Sequence, residues 1–301
     1  MEAPPVLHLS VGIASVVIVV LFVPIYIRII CIFLLNKSYR SLECYQIMIQ
    51  IGITQCIMGP SWLFTGIAHI AQHDYANLAK YLYEVTGVAV RVEAYLSVLL
   101  AINRLRIICN WRWSRLSKRS QFKILYCTSA AIWIVCAVPF VILLTGKADF
   151  LVDPKEFLPR YDYEKPYSKT LQAFGSYQLI VTSLTTLILY ITIVIYLIHR
   201  QFQAGISSEF NKEKTILVYA LSRFAADFSA AVLYNLGGHF LPKCNAVDIF
   251  VFFTYPFNQL ILPPVLYLTL YRSVRKEFFG KKKDVTQAAT LFTVFPQATQ
   301  S

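Results

Sequence analysis

Charge is what this sequence has least of. Only 15% of its 301 residues are Asp, Glu, Lys or Arg, against about a quarter in soluble domains. Hydrophobic residues make up 57%, and a soluble chain of this length cannot hide so much apolar surface. Closely spaced cysteines are missing too. The seven, Cys31, Cys44, Cys56, Cys109, Cys127, Cys136 and Cys244, include no two within four residues of each other, so zinc-ligand pairs are excluded. They read as small apolar fillers within helices. His69 and His73 are four apart but lack the glutamate of a zinc-protease helix. No metal and no cofactor is expected, and no catalytic dyad stands out. Nothing basic precedes the first apolar run, where Glu2 stands instead, so that run reads as an uncleaved anchor rather than a signal peptide. No internal repeat is visible, which speaks against a transporter of duplicated halves.

Seven long apolar runs fill the chain. Each approaches or exceeds the roughly 20 residues needed to cross a bilayer core: 9–35, 44–70, 82–108, 122–144, 171–198, 216–240 and 247–271. Lipid offers the backbone no hydrogen-bond partner, so helices are the expected form, and the fold class is an all-α membrane bundle of seven spans. The loops and ends on one side carry about 18 Lys and Arg against about 7 on the other. The basic side is expected to be cytoplasmic. Residues 1–8 then lie outside, 9–271 form the bundle, 272–280 an amphipathic eighth helix and 281–301 a cytoplasmic tail. Asn36-Lys37-Ser38, the glycosylation triplet, falls inside and should be silent.

The net charge of +12 first suggests nucleic acid, but its placement along one membrane face removes that partner. The stretch Trp111-Arg112-Trp113-Ser114-Arg115-Leu116-Ser117-Lys118-Arg119 suits anionic lipid heads or contact with a protein on that face. Ionisable residues inside spans are costly and mark partners or cavities. Glu84, Arg91 and Glu93 fall in the third run, Arg223 and Asp227 on one face of the sixth. They are expected to form a charge cluster that either binds a polar ligand or holds two helices together. Arg28 is near enough to the inner end of its run to snorkel.

The third run ends Leu99-Leu100-Ala101-Ile102-Asn103-Arg104, and the seventh ends Pro263-Pro264-Val265-Leu266-Tyr267. These resemble the Asp/Glu-Arg corner and the Asn-Pro-x-x-Tyr motif of rhodopsin-like receptors. Tyr45-Gln46-Ile47-Met48, Ile51-Gly52-Ile53 and Thr65-Gly66, with Pro264 through Arg275, are similar to patterns of the nematode serpentine receptor class T family. The resemblance implies a chemoreceptor that couples an extracellular small-molecule ligand to a heterotrimeric G protein. It implies the plasma membrane, or the cilium, of a sensory neuron. Asn103, Arg104, Pro264 and Tyr267 would carry activation, with Arg104 reaching the partner and Tyr267 turning inward. Asn103 in the acidic place removes the usual locking ion pair.

Some departures stand beside the match. Gln55 holds the place of the acidic residue of span two, which tells against a sodium site, and Pro263 replaces an asparagine. The usual disulfide between the top of span three and the second outer loop has no cysteines here. The seventh run has no lysine for a retinal Schiff base. A transporter or channel remains as the rival reading.

Overall fold

The structure is a computed structural model and describes residues 4–109, 118–204, 218–219, 221–234, 241–242 and 244–280. The apolar runs are helices. We label them α1 (Pro5–Leu35), α2 (Glu43–Ala71), α3 (Leu78–Ile108), α4 (Lys118–Leu144), α5 (Ser168–Ala204), α6 (221–234) and α7 (Asn245–Leu270). Six of the described helices are long and apolar enough to cross a membrane; the described part of α6 belongs to the sixth run. α8 (Arg272–Phe278) follows after Tyr271, whose extended backbone ends α7. The stretch from Trp111 to Ser117, Lys212, Lys214 and the tail from 281 lie outside the described residues.

Four helix ends depart from the sequence expectation by four residues or more, with α1 starting at Pro5 rather than Leu9 and α3 at Leu78 rather than Leu82. α5 continues to Ala204 rather than Ile198, and α4 starts at Lys118 rather than Phe122. Hydropathy reports where lipid stops, whereas a helix already nucleated extends into water by one backbone bond per residue.

α3 is the central helix, packed against α2, α4 and α5, while α1 lies along α2 and touches α7 and α8. Lipid supplies no hydrophobic force between helices, so small residues that admit close backbone approach decide such contacts. At the α1–α2 crossing, a Cβ on Gly12 would stand 2.5 Å from the Gly66 carbonyl oxygen, and one on Gly66 2.9 Å from that of Gly12. Val20, Ile134 and Ile188 are exposed on the outer faces of α1, α4 and α5, where hydrocarbon would cover them.

α8 is tied back to α1. The Arg28 guanidinium lies 4.6 Å from the Phe278 ring centroid, and Asn36 Nδ2 donates to Glu277 Oε1 at 2.8 Å. Arg28 therefore has a partner of its own at the inner end of α1, beyond the snorkelling its position suggested. Asn36 also sits on the same side of the bundle as α8.

Candidate functional site

The core of α7 explains the site. Pro263 and Pro264 have no N–H to donate, and the preceding turn, Phe257–Ile261, is π-helical, with the Leu262 N–H bonded to the Phe257 carbonyl. The Asn258 carbonyl thus loses both main-chain donors: Leu262 is engaged elsewhere, and Pro263, five residues on, has no hydrogen. An orphan carbonyl in a membrane interior needs another donor. Arg223 of α6 supplies it through Nη1. The wide turn also rotates Asn258, Gln259 and Leu260 inward together, and all three are buried.

Around Arg223 a polar chain crosses the bundle. Its Nη2 pairs with Glu93 Oε1 of α3, and Asp227 Oδ2, one turn along α6, lies 3.2 Å away. Glu93 also accepts from Gln55 Nε2 of α2, and Gln55 accepts from the Tyr26 hydroxyl of α1. Asn258 Nδ2 donates to the Ala226 carbonyl at 2.7 Å, and Trp62 Nε1 donates to Gln259 Oε1 at 3.1 Å. Five helices (α1, α2, α3, α6 and α7) therefore meet at one ion pair. Removing one partner of such a buried pair costs about 3–5 kcal/mol, because it strands the other charge.

A cavity of about 100 Å³ adjoins this chain; Glu93, Tyr219, Arg223 and Asp227 all line it. Tyr219, one turn below Arg223, donates its hydroxyl hydrogen to the Tyr267 hydroxyl at 2.9 Å, and their rings stack at 5.1 Å. Tyr267 is fully buried and also meets Phe33 edge-on at 5.4 Å.

At the C-terminal end of α3, Arg104 is buried, with Nη2 3.8 Å from Met48 Sδ. Cys44, Tyr45, Tyr190 and Tyr271 are its polar neighbours, and none of the ion pairs among the described residues includes it. The paired arginine is Arg106, which reaches Glu43 of α2 and lies 3.4 Å from Asn103 Oδ1. Asn103 Nδ2 is buried without a partner.

Over the opposite mouth of the bundle lies the loop between α4 and α5, with a short hairpin of β1 (Phe150–Leu151) and β2 (Arg160–Tyr161). It has no disulfide, and other contacts pin it. Lys80 pairs with Asp149 at 2.7 Å, His8 stacks on Phe157 at 4.5 Å, the Pro154 carbonyl lies 3.0 Å from His69 Nδ1, and the Tyr234 hydroxyl donates to the Pro159 carbonyl at 3.0 Å. Four helices thus hold the loop in place, each through a contact whose partners are far apart in sequence. Burial raises the Tyr161 hydroxyl above the ordinary phenol range, so it remains a neutral partner beneath the hairpin.

A profile of the family described as serpentine type 7TM GPCR chemoreceptor Srt matches residues 2–288. The chain belongs to the Srt family. It is a G-protein-coupled chemosensory receptor and a multi-pass membrane protein. The crystal structure of squid rhodopsin is among the solved structures the Srt chain resembles, at 12% identity and a TM-score of 0.70, covering 99% of this chain and 94% of that one; this likeness bears on the fold. No curated protein matches.

In this Srt receptor the expected five-residue charge cluster divides. Glu93, Arg223 and Asp227 come together, linking the third and sixth spans. Glu84 does not join them: two turns outward on α3, it faces the Lys80–Asp149 pair. Arg91 does not join them either. Two residues from Glu93 on a helix is about 200° around the axis, and Arg91 points toward α5 and the hairpin, 3.5 Å from the Tyr161 hydroxyl. Sequence reasoning missed Tyr26, Asn258, Gln259 and Tyr219, and it treated Gln55 only as a lost acid. Polar side chains inside an apolar run were the available signal.

Proposed function

We propose that this Srt receptor converts occupancy of its interhelical cavity into activation of a heterotrimeric G protein by loosening the hold of Arg223 and Tyr219 on their neighbours. One observation carries the reading: both residues line the cavity, yet Arg223 ties α6 to α3 and α7, and Tyr219 bonds Tyr267 of α7. A ligand that prefers a rearranged wall shifts the population of the whole bundle. Asn103, Arg104, Pro264 and Tyr267 are the activation residues in this reading. Pro263 and Pro264 deny α7 two backbone donors just after its π-turn, and Arg104, free of any described ion pair, is available to a partner's backbone.

The test is a G-protein activation readout in heterologous cells exposed to a panel of small odorants. At least one compound is expected to activate. Ligand-driven ion or solute flux with no G-protein response would favour the transporter or channel reading instead.

The proposal places the receptor in the plasma membrane, or the ciliary membrane, of a sensory neuron, with the N-terminus outside. The asymmetry of Lys and Arg and the contact of Asn36 with α8 support this orientation. A C-terminal epitope tag should stain only after permeabilisation, and Asn36 should carry no glycan. Staining of intact cells would reverse the assignment.

A further inference from the structure

The second cavity lies beneath the outer hairpin, has a volume of about 80 Å³ and is lined by Arg91 and by the aromatic residues Trp62, Tyr83, Phe150, Tyr161, Tyr234 and Tyr255. Arg91 is 6% exposed. The hydrogen bond recorded for its side chain is the 3.5 Å contact to Tyr161, and none of the ion pairs among the described residues includes it. A guanidinium cannot discard its proton and offers five donors in a planar fork. At this depth an unpaired charge is costly. Glu93 is engaged by Arg223 on the other side of α3, and Glu84 faces Lys80 and Asp149. Arg91 thus faces an aromatic chamber with no carboxylate of its own, the two glutamates nearest it on α3 being engaged elsewhere.

Gly175 of α5 shapes the same place. A Cβ there would stand 2.9 Å from Arg91 Nη2, so an alanine would make the tip of this side chain shift.

We propose that this chamber is the recognition site for a small organic monocarboxylate with an aromatic or short aliphatic body, gripped by Arg91. This rests on the receptor reading and gives its ligand a chemical class. The charge count selects the class: one guanidinium balances a monoanion and matches a carboxylate in bidentate geometry. A phosphate dianion would be left under-compensated, since Lys80 is engaged by Asp149. Size agrees. A cavity of about 150 Å³ admits benzene, and the chamber adjoins the cavity at Arg223 through Val90, Leu179 and Tyr255, which line both. A ligand body extending past them would touch the wall that holds α6.

The experiment uses the full chain in lipid nanodiscs, with benzoate and butyrate against their neutral isosteres benzamide and butyramide. The readouts are the thermal unfolding midpoint and tryptophan fluorescence. Carboxylates should raise the midpoint by mass action, and the amides should not. Arg91→Gln should weaken carboxylate binding by roughly tenfold or more, the effect of losing a charge-assisted contact, and Arg91→Lys should retain part of it. Gly175→Ala keeps the charge but displaces the guanidinium, so a several-fold loss is expected there, and it decides the matter if Arg91→Gln does not fold. Equal stabilisation by acid and amide overturns the proposal, as does binding unaffected by both variants or no response to either carboxylate. Carboxylate binding without any G-protein response would leave this site standing and remove the receptor reading.

Discussion

Arg104→Ala is expected to reduce G-protein activation by roughly a hundredfold while the receptor still reaches the cell surface. The two halves of that result come from one observation. Arg104 is buried at the inner end of α3, and its recorded side-chain contact is to the Met48 sulfur at 3.8 Å, a weak acceptor. No carboxylate in the described residues is paired with it, so truncation strands no opposite charge and delivery should persist. What is lost is a rigid set of donors at the mouth proposed to face the G protein. Hydrogen bonds to charged groups contribute about 1.5–3 kcal/mol each, so losing one or two against the G-protein backbone yields an effect of that size. Surface staining and nucleotide exchange measured on the same cells check both halves. Undiminished exchange would remove Arg104 from the activation role.

Breaking the Glu93–Arg223 pair should have the opposite signature. Glu93→Gln leaves the Arg223 guanidinium with Asp227 and the Asn258 carbonyl; Arg223→Gln leaves both carboxylates without a cation and the carbonyl without its donor. Loss of one member of a buried pair costs about 3–5 kcal/mol, a large fraction of the stability of a typical domain. Surface delivery of Arg223→Gln is expected to fall severalfold, more than that of Glu93→Gln. The double variant Glu93→Gln/Arg223→Gln no longer strands the Glu93 charge and should recover part of it, since Asp227 and the Asn258 carbonyl still lack the guanidinium. Equal delivery of wild type and both single variants, measured by flow cytometry of an external tag, would show that the pair is not what holds α3 to α6.

How much of this was legible beforehand differs from element to element. The spans were, because a helix in lipid must be apolar along its length, and α2 runs from Glu43 to Ala71 against an expected 44–70. The inward meeting of Glu93 with Arg223 was legible as a class of contact, since isolated intramembrane charges need partners. Which charges would meet was not. Arg91 and Glu93 are two apart in sequence and face different neighbours, so adjacency in the chain misleads where the helical turn decides. The role of Asn258 was also hidden. It follows from Pro263, but only through a π-turn that redirects the Leu262 N–H, and propensity does not register that event. The tethered outer loop was harder still, because its contacts join residues as distant as His8 and Phe157, which no local pattern connects.

In the proposed mechanism the Glu93–Arg223 pair holds the bundle in its resting arrangement, and the cavity beside it is where that hold is released. The most direct test is basal nucleotide exchange on a purified heterotrimeric G protein by the double variant Glu93→Gln/Arg223→Gln in nanodiscs, compared with wild type at equal receptor concentration and without ligand. If the pair favours the resting state by about 1–2 kcal/mol, basal exchange should rise roughly 5–30-fold, and Arg104→Ala added to the double variant should abolish the increase. Basal exchange equal to wild type, from a double variant that is folded and monodisperse, would contradict the claim.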